Sequence, residues 1–143
     1  MDFFEDYKYI IIPISTWFFI QLFKVIYECV KTKKFNFKRI LGAGGMPSSH
    51  SAVVTSLTTL IGKSEGIDSC MFALALTFAC VVMYDAAGVR RAAGKQAKLL
   101  NKIVETPEMT EVQASEKLVE ALGHSPKQVI VGALIGVIVG LIF

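Results

Sequence analysis

Charge is scarce in this chain. Only 19% of its 143 residues are Asp, Glu, Lys or Arg, 53% are hydrophobic, and the mean hydropathy is +0.53. A water-soluble domain of this size needs a largely polar surface, and this composition does not supply one. Cysteine is scarce too. Cys29, Cys70 and Cys80 lie in or beside apolar runs without paired metal spacing, which argues against a zinc site or a disulfide framework and for small core residues. Histidine occurs twice, as His50 and His124. The opening stretch, Met1 to Lys8, is polar and mostly acidic; it lacks the basic start and cleavage site of a secretory signal, so none is expected.

What is abundant is long apolar runs. They predict an all-α, polytopic membrane helix bundle of about four transmembrane helices plus an amphipathic interfacial helix, forming one membrane-embedded domain over residues 1–143. Tyr9 to Val30 is the first span; its 22 residues reach roughly 33 Å. Gln21, Lys24 and Glu28 recur at helical spacing within it, and they either snorkel to the interface or form a polar stripe facing a site inside the bundle. Ser48 to Gly62 is short and rich in hydroxyls, better suited to the inside of a bundle than to lipid. Ile67 to Tyr84 is the third apolar segment. Val129 to Phe143 is the last, with Gly132, Gly136 and Gly140 forming a surface for close helix packing.

The polar connections carry a strong charge pattern. Lys31 to Arg39 holds five basic residues and no acid, a cytoplasmic-side signal that also suits anionic headgroups or a substrate phosphate. Arg91, Lys95, Lys98 and Lys102 form a basic helical stripe suited to the inner membrane surface. Thr106 to Leu122 reads as an acidic amphipathic helix, opened by Pro107 and ended by Gly123. With four crossings, nearly all Lys and Arg fall on the cytoplasmic side and both termini lie outside.

Two short stretches carry chemistry. Gly44-Gly45-Met46-Pro47-Ser48-Ser49-His50 leads into a helix, so His50 falls in a first turn whose unpaired backbone N–H groups attract anions. Leu122-Gly123-His124-Ser125-Pro126 places His124 before another helix, with Ser125 and Gln128 at capping-box spacing. The four-crossing topology puts His50, Asp85, Arg90, Arg91 and His124 at one level. On a straight helix Asp85 and Arg90 point some 140° apart, so their convergence requires a break, for which Gly88 is the natural place.

Pro47-Ser48-Ser49-His50 resembles the Pro-Ser-Gly-His motif of the type 2 phosphatidic acid phosphatases, relatives of the vanadium haloperoxidases. Together with the Asp85–Arg91 and Gly123–Pro126 stretches, in this order, it resembles the small divergent branch of that membrane superfamily. The larger family's Lys and Arg-Pro positions are Thr32 and Arg39-Ile40 here, its Ser-Arg is Lys117-Leu118, and the Asp after its second histidine is Gln128.

The resemblance implies a membrane lipid-phosphate phosphatase, with metal-free and cofactor-free hydrolysis of a lipid phosphomonoester or diphosphate through a phosphohistidine. It implies His124 as nucleophile and His50 as acid and then base. Arg90 and Arg91 are the expected phosphate ligands, with Lys95, Arg39, Ser48 and Ser49 in support. Asp85 is expected to orient His124 in place of the family carboxylate, with Gln128 as a weaker orienting group. Expected partners are a lipid phosphate and membrane lipids, with no nucleic acid. A homo-oligomer is expected because the helices are few and the glycine face offers contact. The alternative is a non-catalytic membrane protein that keeps the fold and binds phospholipid headgroups or a partner.

Overall fold

The computed structural model describes residues 3–33, 45–104, 118, 120 and 122–143. Among them the regular elements are all helices: α1 (Phe3–Thr32), α2 (Ser49–Glu65), α3 (Cys70–Ala87), α4 (Val89–Val104) and α5 (Pro126–Ile142). Serines start three of them. Ser48, Ser69 and Ser125 accept hydrogen bonds from Ser51, Phe72 and Gln128 N–H, supplying partners that a helix start lacks. At α5 the capping box is complete, because Gln128 Oε1 also accepts from Ser125 N–H at 2.8 Å.

Side chains are sorted by size and not by polarity. Phe18, Phe19, Leu74, Phe78, Leu134 and Ile138 are exposed, while α2 buries Ser49, Ser51, Thr55, Ser56 and Thr58. Large apolar residues outward and small or hydroxyl residues inward is the arrangement a bilayer favours, since lipid solvates the former and close helix packing needs the latter. The hydroxyls of Thr55, Ser56 and Thr58 are satisfied by carbonyls: Thr55 Oγ1 donates to Ser51 O at 2.8 Å and lies 3.0 Å from Ala133 O. Phe3–Val30 and Cys70–Val104 are long and apolar enough to cross a membrane, and Pro126–Ile142 is a shorter apolar helix.

The helices alternate in direction. The Tyr9 hydroxyl donates to Ser64 Oγ (2.6 Å), and the Phe4 and Phe143 rings lie 6.1 Å apart, so α1 runs antiparallel to α2 and α5. Thr58 Oγ1 lies 3.2 Å from Ala75 O, and α3 returns along α2. Gly132, Gly136 and Gly140 face Ser48, Ala52 and Ser56 in order, so α5 is parallel to α2. The starts of α2 and α5 therefore share one end of the bundle with the finish of α1 and α3.

Three expectations change. The glycine face of α5 is consumed inside the chain: a Cβ at Gly140 would lie 2.8 Å from Ser56 O, so this ridge is no argument for a dimer. Cys29 is half-buried, and Cys70 and Cys80 are exposed because α3 buries Ala75, Ala79 and Ala86 instead. Most of the predicted 106–122 helix lies outside the described residues, but Leu118, Glu120 and Leu122 are not helical. The Asn101 amide holds Leu118 there: its Oδ1 accepts from Leu118 N–H at 3.1 Å, and its Nδ2 donates to Leu118 O at 3.0 Å. Farther on, the chain passes so close to α4 that a Cβ at Gly94 would lie 2.6 Å from Leu122 O.

Candidate active site

The route of residues 118–124 explains how His124 is placed. The contacts of Leu118, Leu122 and Gly123 run from Asn101 through Gly94 to Arg90–Arg91, back along α4 toward its start. Gly123 then turns with φ +89°, and a Cβ there would collide with the Arg90–Arg91 backbone. Only glycine meets both demands. The next N–H, of His124, donates to Ala86 O at 2.9 Å, pinning the histidine to the end of α3. From the other side, Ser48 N–H donates to Gln128 O at 3.1 Å, joining the first motif to the last.

These constraints bring His50 and His124 together. Their ring centroids are 5.6 Å apart, edge to face at 78°. His124 is 2% exposed, and neither of its ring nitrogens, nor His50 Nδ1, has a hydrogen-bond partner among the described residues. Buried polar atoms left open at a helix entrance suit a ligand that accepts or donates there. Burial holds the His124 pKa down to about 4, with the charges of Lys24, His50 and Arg90 adding to the effect. The imidazole is then neutral, the nucleophilic form.

The other expected residues fall into place unevenly. Asp85 and Arg90 do meet across the break at Gly88, with Arg90 Nε donating to Asp85 Oδ2 at 2.6 Å. The Asp85 carboxylate thus engages Arg90 and makes no hydrogen bond to His124. Gln128 spends its side-chain oxygen on the capping box. Ser48 is fully buried and its Oγ accepts from Ser51 Oγ at 3.0 Å, so it shapes the turn; Ser49 is buried beside it. Arg91 and Lys95 are exposed on α4, and Arg39 lies outside the described residues.

Lys24 lies outside the two histidine motifs, yet it is 5% exposed and its charge reaches both histidines. The signal was present in the polar spacing of Gln21, Lys24 and Glu28. The structure chooses the inward stripe over snorkelling, for Gln21 is 6% exposed as well.

The depressed His124 pKa has a measurable consequence. Unfolded, this histidine binds a proton near its ordinary pKa of 6.5; folded, it resists down to about 4. Its contribution to stability is fully present above 6.5 and is lost as pH falls toward 4. In detergent, the unfolding midpoint of the wild type should drop between pH 7 and pH 5 by more than that of His124→Asn. Parallel curves would mean that His124 is protonated in the fold.

A model of the Divergent PAP2 family matches residues 6–139. The uncharacterized membrane protein YuiD of Bacillus subtilis (strain 168) is 39% identical over 135 residues, covering 87% of this chain and 85% of the relative. No solved structure matches. The family match runs from α1 into α5 and includes Lys24, both histidines, Asp85 and the two arginines. With nearly the whole chain covered, and both histidine stretches inside the match, the chain belongs to the divergent PAP2 family of membrane proteins.

Proposed function

We propose that this protein is a lipid-phosphate phosphatase, cleaving a phosphomonoester or diphosphate of a membrane lipid through a phosphohistidine on His124. The supporting observation is the pair of imidazoles in edge-to-face contact at the starts of two parallel, tightly packed helices, one of them buried with open ring nitrogens. A neutral His124 nitrogen attacks phosphorus, the bond from phosphorus to the lipid oxygen breaks, and protonated His50 gives its proton to that oxygen. Neutral His50 then takes a proton from water as its oxygen attacks the phosphohistidine. The P–N bond breaks, and inorganic phosphate leaves with His124 neutral and His50 protonated again.

Edge-to-face contact leaves no room for a phosphoryl group directly between the rings. In-line transfer therefore requires one ring to swing, and His50 is the less buried of the two. Arg90 supplies charge to the equatorial oxygens while Asp85 holds its Nε. Arg91, Lys95, Arg39 and the Ser48–Ser49 turn are further phosphate contacts in this reading.

One observation favours the second reading, a headgroup-binding protein without catalysis. No described carboxylate or side-chain amide hydrogen-bonds the His124 ring, so the orientation of the ring itself rests on packing. Phosphate release by purified protein from a panel of lipid phosphates, with chelator present, separates the two. Release above that of a His124→Ala control supports the phosphatase; binding without release supports the second reading.

The site is proposed to face the cytoplasm, with both termini outside, because the basic stripe of α4 adjoins it. In a cysteine-free background, cysteine at Lys102 should resist a membrane-impermeant thiol reagent in intact cells, and one at Glu65 should react. The reverse pattern would move the site to the other face.

A further inference from the structure

The reaction as drawn leaves two features unused: a buried lysine, and a cleft of about 1000 Å³ between α1 and α5. The two are one feature. The cleft walls are apolar, with Ile20 and Phe23 from α1 facing Ile135 and Val139 from α5. Ser15 and Thr16 also line it, the Thr16 hydroxyl donating to Ile12 O, but its charged residues, Lys24 and Glu28, gather toward one end, where the cleft reaches Pro47, three residues before His50. From Val131 to Phe143 the lining follows α5 to its C-cap, 12 steps along the chain and a rise of about 18 Å. A long apolar slot that ends at a buried cation beside two histidines matches one kind of molecule, an amphiphile with a hydrocarbon chain and an anionic head. Water-soluble phosphates match only the polar end.

We infer that the α1–α5 cleft seats a hydrocarbon chain of the substrate and that Lys24 binds the phosphate of the same molecule, so that the substrate enters sideways from the bilayer. This rests on the phosphatase reading for its chemistry, but the placement of the lipid is independent of turnover. Lys24 carries a compact ammonium with three donors, suited to a phosphate oxygen at the polar end of the cleft. Its burial near hydrocarbon makes its attraction to an anion stronger than at a wet surface. The chain contacts give affinity to long-chain lipids that short-chain analogues lack, since each buried CH₂ contributes about 0.8 kcal/mol.

The test uses wild-type protein in detergent–lipid micelles and a phosphatidic acid carrying a diazirine in its acyl chain. Crosslinks should map to α1 and α5 peptides containing Phe23 and Ile135. Excess long-chain phosphatidic acid should compete them away, whereas inorganic phosphate should not. Lys24→Met should cut crosslinking at least tenfold, and Lys24→Arg should restore most of it. Ile135→Trp, filling the slot, should lower the ratio of kcat/KM for long-chain lipid to that for an aryl phosphate at least tenfold.

Labels spread evenly over the outward faces of α3 and α5, or unaffected by Lys24→Met, would overturn the inference. Labels in the cleft with no phosphate release would keep the inference and remove the phosphatase reading. Release with labels elsewhere would do the opposite.

Discussion

His124→Ala is expected to abolish phosphate release, lowering turnover of a lipid phosphate on the order of 10⁴-fold or more, because the atom that forms the covalent bond is gone. His124 N–H still donates to Ala86 O whatever its side chain, so the fold should persist. His50→Ala should behave differently. A general acid is worth about 10²- to 10⁴-fold, and most of that is needed only when the leaving oxygen is a poor one. On an alkyl lipid phosphate His50→Ala should therefore lose nearly as much as His124→Ala. On an activated aryl phosphate it should keep part of its activity in the first step and accumulate phosphohistidine, since the water step lacks its base. Acid-labile phosphate on the His50 variant, absent from the double variant, is the decisive measurement. Wild type and both single variants with equal activity would leave the histidines as helix-entry residues and the protein as a binder.

The second large effect is structural. Gly136 sits where a Cβ would overlap Thr55 Oγ1 and lie 2.9 Å from the Ala52 carbonyl carbon. Neither can yield cheaply, because the second is backbone and the first already bonds to Ser51 O. Gly136→Val must push α5 off α2, at about 3 kcal/mol for overpacking, which corresponds to an unfolding midpoint lower by on the order of 10 °C. The same displacement separates His50 from His124, so activity should fall further than stability at permissive temperature. Val137→Leu, one position along on the outward face, is the control and should be near neutral. If Gly136→Val keeps both its midpoint and its activity, the parallel α2–α5 contact does not hold the site together.

Local signals carried much of this protein. Apolar runs, serine caps and glycines near helix ends are short-range features, and they place the helix starts that bear on the site. The capping box of Ser125 and Gln128 was legible because both halves lie within one turn. The grouping of both histidines with Asp85 and Arg90 at one end also followed from sequence, because alternating crossings leave few choices once the basic loops share a side.

What the sequence could not decide was which partner each polar group takes. Asp85 had three chemically suited partners, His124, Arg90 and Arg91; the break at Gly88 and the anchoring of His124 to Ala86 selected Arg90. Lys24 had two destinations, and its sequence context favoured the interface over the interior. Packing of α1 against α2 and α5 turned it inward. Gly132, Gly136 and Gly140 announced a close helix contact but not whose helix, since a glycine ridge fits a second copy and a neighbour in the same chain alike. Leu118 falls outside any helix, against the expectation, because Asn101 offers its backbone both partners from 17 residues away. The sequence by itself thus determined the all-helical membrane architecture and the residues gathered at one end. Only the tertiary structure decided their pairings, because a pairing depends on distances between elements far apart in the chain, which no local spacing encodes.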